Sequence, residues 1–260
     1  MNKDWQIPSY EVTEIKPKMA KYCVCIPVIN EGERILGQLE RIKPFLDRVD
    51  VLLLDGGSTD GSTDIEKLKA RGVRALLVKT GPGKLSAQLR MGYAYALEQG
   101  YEGTITVDGN GKDNVDAIPN FVKALEEGWD MVQGSRYIPG GQAINTPKIR
   151  HYAVKLIHVP VVSKVAGFKY TDTTNGYRAY SNRYLLDSRV QPFRDIFNTY
   201  ELLAYLSVRA PQLGFKTKEI PVTRAYPKTG KTPTKISFIK GNGDLLRILK
   251  DLILHKYDPK

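Results

Sequence analysis

The chain has 260 residues, 42% hydrophobic and 26% charged, a globular composition that excludes disordered, collagen-like and disulfide-scaffold classes. Lys plus Arg number 39 against 28 Asp plus Glu, a formal net charge of +11, which points to an anionic partner such as phosphates, nucleic acid or an anionic membrane surface. Between Arg209 and Lys260 stand 12 basic and 4 acidic residues, net +8, so most of the excess lies in the last fifth.

Residues 1–20 are polar, with Pro8 and Pro17, and read as a loose lead-in. Short apolar runs then alternate with helical patterns. Strands are expected at 22–28, 49–55, 73–79, 103–108 and 130–137, and helices at 31–44, 62–71, 85–99 and 115–127. That alternation predicts an α/β domain whose mostly parallel central sheet carries helices on both faces. Past 138 come a Gly-rich loop, a helix near 148–166, the segment DTTNGYRAY, a helix near 199–213, a strand at 216–225 and a final helix near 244–256. One domain spans 21–240, between the lead-in and an amphipathic C-terminal segment, 241–260. No apolar run approaches the roughly 18 residues of a spanning helix and the start has no signal-like h-region, so a cytoplasmic protein is expected. Cys23 and Cys25 alternate onto one strand face as buried reduced thiols, and His151, His158 and His255 are not at metal-ligand spacing.

Ligands of such sheets gather beyond the carboxyl ends of the strands, and three of those ends carry unusual residues. The first is PVINE, where Pro27 and Asn30 stop a strand and start a helix. The second is LDGGSTDGSTD, where Asp55 is placed to accept from a base or ribose donor, or to close an Asx-turn. The third is VDGNGKD, whose oxygen ligands Asp108 and Asn110 suit Mg²⁺ or Mn²⁺. The EF-hand pattern fails at Lys112 and Asp113. GPGKLS lacks the residues of a Walker A loop, though Lys84 can still reach a phosphate.

PVINE, LDGGSTDGSTD, VDGNGKD, QGSRYIPGG and DTTNGYRAY, in this order, resemble the family 2 glycosyltransferases with the GT-A (Rossmann-like) fold, in particular the dolichyl-phosphate-mannose-synthase-like branch; the likeness runs from about 22 to 240. It implies that Pro27, Val28 and Glu31 line the nucleotide base site with Asp55, and that Asp108 and Asn110 hold the metal. It also implies that Arg136 and Arg150 face donor or acceptor phosphates, that Asp172 flanks the reacting centre, and that Arg224 and Lys235 close over the donor diphosphate. Two departures stand out. Gly56 replaces a usual second aspartate, and Asn110 with Lys112 leaves the metal position less negative, so that the cation is weakly bound and Lys112 itself neutralises phosphate.

The expected reaction is inverting hexosyl transfer from a nucleotide-diphosphate sugar. A polyprenyl-phosphate acceptor is already ionised and needs no strong base, whereas a saccharide hydroxyl needs one, with Asp172 first and Glu201 second. Two other readings use the same features: a basic nucleic-acid-binding module, for which no motif is present and no nucleic acid is expected, and a catalytically dead homologue. In the last helix, Leu245, Ile248, Leu249, Leu252 and Ile253 form an apolar stripe flanked by Arg247, Lys250 and Lys256. The stripe either packs on the domain or seats the protein peripherally at the anionic cytoplasmic face of a membrane.

Overall fold

The computed structural model describes residues 4–227 and 238–259, with side chains in the last helix from Gly243 onward. Its strands are β1 (Tyr10–Glu14), β2 (Tyr22–Val28), β3 (Val49–Asp55), β4 (Val73–Lys79), β5 (Gly103–Thr106), β6 (Met131–Ser135), β7 (Gln142–Ile144), β8 (Arg178–Ser181), β9 (Thr217–Pro221) and β10 (Thr223–Ala225). Eight of them form one sheet in the order β1-β4-β3-β2-β5-β8-β6-β9, while β10 and β7 pair separately. β1 runs antiparallel to β4, and β8 runs antiparallel to both β5 and β6; every other pairing is parallel.

The helices are α1 (Glu33–Ile42), α2 (Ile65–Lys69), α3 (Leu85–Glu98), α4 (Ile118–Glu126), α5 (Lys148–Ala153), α6 (Val159–Ala166), α7 (Asn182–Leu186), α8 (Glu201–Gln212) and α9 (Phe238–Ile253). Strand alternation sorts the core into two clusters, one on each face of the sheet. Cys23, Cys25, Leu52 and Leu54 meet α3, α8 and α9 on one face. Val24, Ile26, Val51 and Leu53 meet α1 and α4 on the other. Both cysteines are free and buried, as expected.

Four expectations are corrected, and one that the sequence left open, the place of the C-terminal stripe, is decided. The lead-in is not loose, because β1 pairs along its whole length with β4 and closes that sheet edge. The strand expected at 216–225 breaks at Val222, and its halves join different sheets. The helix at 148–166 is interrupted by a π-helical segment, Val154–His158, between α5 and α6. The C-terminal stripe is core, with Ile248, Leu249 and Leu252 buried in the α3–α8 cluster. It therefore has no apolar face left for a bilayer at those positions. α2 is also shorter than its pattern, since Asp64 accepts from the Lys67 amide and sets the helix start.

The antiparallel insertion of β8 matters most for function. Its first residue, Arg178, pairs with Thr106 at the end of β5. The residues before it, Asp172–Tyr177, therefore arrive at the edge where the parallel strands finish.

Candidate active site

Four parallel strands, β2, β3, β4 and β5, end at one edge, and their loops are tied together by side chains. The Asn30 amide donates to Ser58 Oγ at 2.9 Å, the Thr59 amide to Asn30 Oδ1 at 2.8 Å, and the Gly32 amide to Asp60 Oδ2 at 2.8 Å. Asp55 is buried at the end of β3, and its carboxylate accepts both the amide and the hydroxyl of Ser58. It closes the turn. Glu31 is buried and paired with Arg34, Nη2 to Oε2 at 2.9 Å. Pro27 and Val28 are buried at the end of β2. Lys84 lies exposed just before α3.

Sequence reasoning missed Gln88. Its buried Nε2 donates to the carbonyls of Val28 and Leu54, both at 2.9 Å, and so staples the ends of β2 and β3. A Cβ built on Gly56 would lie 3.0 Å from that nitrogen. A side chain at position 56 would therefore meet Gln88.

After β5 the chain pairs with β10. The Ala225 amide donates to the Lys112 carbonyl, the Asn114 amide donates to the Thr223 carbonyl and the Thr223 amide to Asn114 Oδ1, and Asp113 and Arg224 form an antiparallel bridge. This small ladder places Arg224 between two carboxylates, with Nη2 2.8 Å from Asp108 Oδ2 and Nη1 2.5 Å from Asp113 Oδ2. Gly176 completes the packing, since a Cβ there would lie 2.7 Å from Asp108 Oδ1. Burial works against the charged form of Asp108, but Arg224 outweighs it and holds the carboxyl below its ordinary range. At Asp113 burial wins and, with the Asp108 charge, pushes the carboxyl up.

Beside this pair stands Tyr226, also missed from sequence. Lys112 Nζ is 5.0 Å from its ring centroid, and the Arg150 and Arg224 guanidinium carbons are 6.0 and 5.9 Å away. Arg150 Nη1 donates to its hydroxyl at 2.9 Å. Burial raises the phenol, but the Arg224, Arg150 and Lys112 charges together bring it below its usual value. Three cations against two carboxylates leave a local excess of positive charge, the electrostatics of a phosphate site. Arg34, Arg41, Asn110, Lys112 and Tyr226 border an open groove of about 480 Å³ next to it. Pro27, Val28 and Asp55 do not line that groove.

The metal position is lean. Asp108 supplies a strand-end carboxylate, the donor a hard cation needs. Asn110 turns its amide nitrogen to Asp108 Oδ2 at 3.3 Å and spends its oxygen on the Lys112 amide. Among the described residues no three His, Cys, Asp or Glu side chains gather closely enough to hold a metal. Of these residues Asp108, whose Oδ2 also meets Arg224, is the one that would hold a divalent ion.

The expected catalytic side chains are engaged with one another. Asp172 is fully buried and grips Arg136 bidentately, Nε to Oδ2 at 2.6 Å and Nη2 to Oδ1 at 2.9 Å, while also accepting the Arg136 and Thr174 amides. Both oxygens of Asp172 are thus engaged, and Arg136 is equally buried in the same pair. Glu201, the second candidate, is buried and accepts the Asn198 and Thr199 amides ahead of α8. Lys235 lies outside the described residues.

Comparison with known proteins agrees with this architecture. The chain is 28% identical over 212 residues to the undecaprenyl-phosphate mannosyltransferase of Micrococcus luteus, covering 80% of this chain and 84% of the relative. It is 29% identical over 203 residues to the polyprenol monophosphomannose synthase of Mycolicibacterium smegmatis, covering 77% and 76%. Among solved structures, glucosyl-3-phosphoglycerate synthase of Mycobacterium tuberculosis, in complex with Mn²⁺, uridine diphosphate and phosphoglyceric acid, superposes with a TM-score of 0.65 over 91% of this chain and 78% of its own, at 17% identity. That likeness shows the expected GT-A fold. The family model for glycosyl transferase family 2 matches residues 23–189, from β2 past β8 and through the loops that carry Asp55, Asp108 and Asp172. With most of the chain matched and the strand-end loops in register, this protein belongs to glycosyl transferase family 2.

Proposed function

We propose that this glycosyltransferase moves a hexose from a nucleotide-diphosphate sugar to a polyprenyl phosphate. The observation that carries the reading is the gathering of Lys112, Arg150 and Arg224 around Tyr226 at the strand-end edge, while the carboxylates suggested as bases, Asp172 and Glu201, are locked. A site rich in fixed cations whose candidate bases are engaged suits an acceptor that is already an oxyanion. The printed names of the Micrococcus and Mycolicibacterium relatives point the same way.

In this reading an acceptor phosphate oxygen attacks the anomeric carbon, the bond from that carbon to the donor diphosphate oxygen breaks, and the nucleoside diphosphate leaves with the electron pair. Arg150 orients the acceptor phosphate from its hydrogen bond to Tyr226. Lys112 and Arg224 stabilise the leaving diphosphate. A divalent cation at Asp108, Mg²⁺ or Mn²⁺, adds positive charge for that same diphosphate when bound. The base is assigned to the β2 and β3 strand ends at Pro27, Val28, Glu31 and Asp55, and the nucleotide phosphate to Lys84, exposed just before α3.

The test is transfer of labelled hexose from a panel of nucleotide sugars to a short-chain polyprenyl phosphate, with the corresponding polyprenol and a free saccharide as controls. Which donor to use follows from the thermal shift produced by UDP, GDP, CDP and dTDP, with and without Mn²⁺. Product on the phosphate alone supports the reading. Transfer to the saccharide with none to the phosphate overturns it.

A further inference from the structure

We infer that the helix surface bearing Ile149, Tyr152 and Leu156 is the site at which the protein docks on an anionic lipid bilayer. The inference deepens the polyprenyl-phosphate reading and rests on it. Residues 148–166 are anchored along one side only, where Val154, His158, Val162 and Ala166 recur every fourth residue and are buried. His158 Nδ1 is 2.7 Å from Thr173 Oγ1 on the loop leading to β8. None of the six residues of α5 is buried. On the side away from the anchor, Ile149, Tyr152 and Leu156 are 71%, 59% and 71% exposed, at the i, i+3, i+7 spacing of a single stripe, with Ile157 beside it at 46%. Large apolar side chains contiguous on one helix face mark an interaction surface.

Charge selects the occupant. From Met131 to Thr171 the chain has no acidic residue and six basic ones, Arg136, Lys148, Arg150, Lys155, Lys164 and Lys169. The acids that bound this stretch are both paired, Asp130 with Arg183 and Asp172 with Arg136. Lys148, Lys155, Lys164 and Lys169 are exposed. An apolar stripe bordered by cations alone is the pattern of a helix lying in a headgroup layer, its apolar side chains in the acyl boundary and its lysines among the phosphates. Position fits as well. Arg150, next to Ile149, reaches the Tyr226 hydroxyl, and His151 packs edge-on against Tyr137, 5.4 Å between centroids. Docking through this face therefore sets the cation cluster at the depth where a lipid-borne phosphate lies.

The experiment measures sedimentation of the full chain with vesicles of phosphatidylcholine containing about 30% phosphatidylglycerol, against pure phosphatidylcholine vesicles, at low and high salt. Wild type is expected to bind the anionic vesicles and to be released by salt. The Ile149→Ser/Leu156→Ser variant is expected to bind about tenfold more weakly with an unchanged melting temperature, and Lys148→Gln/Lys155→Gln to lose the preference for anionic lipid. Both are expected to keep transfer to a short, water-soluble polyprenyl phosphate and to lose transfer to a long-chain acceptor embedded in vesicles. Equal vesicle binding by wild type and the serine variant overturns the inference, as does a vesicle-free dimer that Leu156→Ser dissociates, which would put a second copy of the chain on this face. Transfer to the soluble phosphate without vesicle binding removes the docking surface and leaves the acceptor reading intact. Vesicle binding without transfer to any polyprenyl phosphate does the reverse.

Discussion

Arg136 and Asp172 form a bidentate ion pair closed off from solvent, 2.6 and 2.9 Å across its two contacts, at the junction of β6 and the loop leading to β8. Removing one member of such a pair strands a charge and costs about 3–5 kcal/mol, whereas removing both costs less than the sum. Asp172→Ala is therefore expected to lower unfolding free energy by about that amount, with Arg136→Ala/Asp172→Ala recovering part of it. Asp172→Ala with wild-type stability and a missing acidic limb in its pH–rate profile would restore the carboxylate as a base.

Arg224 serves two carboxylates, and they are not equivalent. Among the described residues Asp113, which is buried, meets Arg224 through Oδ2 and has no partner on Oδ1, while Asp108 is part-exposed. Arg224→Met is expected to cost about 3–5 kcal/mol at neutral pH. The Asp108 carboxyl sits below its unfolded value, so its contribution is present above about pH 4 and lost as pH falls through the folded pKa. The deficit of Arg224→Met should therefore narrow in acid. Asp108→Ala should abolish transfer at a smaller cost in stability, because Arg224 keeps Asp113. Transfer near the wild-type rate would remove Asp108 from the site.

The sheet was legible because β2, β3 and β4 are continuous apolar runs with turn residues at their ends, and their bounds match the pattern. Two strands were not. β1 is an exposed edge whose polar side chains hide it, and β8 is only four residues long inside a loop motif. The strand-end loops announced Asp55 and Asp108, but not what each carboxylate meets. That depends on pairings such as Asp108 with Arg224, 116 residues apart. No local pattern encodes such a contact, and Tyr226 and Gln88 were missed for the same reason.

Lys112 gives the cation dependence a distinctive form. Its ammonium lies by Tyr226 and helps hold the Asp108 carboxyl down. In the proposed reaction such a fixed charge at the diphosphate would partly replace a mobile ion. Transfer is expected to persist at a reduced rate in chelator, to vanish in chelator for Lys112→Met, and to respond to lower Mn²⁺ in Asn110→Asp, which gains a charged oxygen donor. Equal chelator sensitivity in wild type and Lys112→Met would contradict this.

His158 makes the π-helical anchor sensitive to pH. Burial, with the nearby Arg178 charge, lowers its pKa to about 4, against an opposing effect from Asp172. Between the unfolded value near 6.5 and about 4, the unfolded chain binds a proton that the folded one refuses, so stability falls as pH drops through that window, by up to about 3 kcal/mol. His158→Gln should flatten that part of the stability profile, as read by urea midpoints from pH 7 to about 4. An unchanged slope would mean that other groups carry it.

Gly56 tests whether the departure at the base rim is structural. A Cβ at this position would stand 3.0 Å from Gln88 Nε2 and 3.4 Å from the Val28 carbonyl. The glutamine cannot simply swing aside, since that nitrogen satisfies the carbonyls of Val28 and Leu54. Moving it takes a donor from the Leu54 carbonyl, and one from the Val28 carbonyl, which keeps the Gly56 amide, and adds to an overpacking cost of about 1–3 kcal/mol. Gly56→Asp is accordingly expected to be destabilised by at least that range. Gln88→Ala alone should also be destabilised, through the loss of the staple. The combined variant should be more stable than the two separate costs predict, because the clash exists only when both side chains are present. If the costs simply add, Gln88 does not occupy the space of the missing aspartate, and the glycine must be explained by the turn itself.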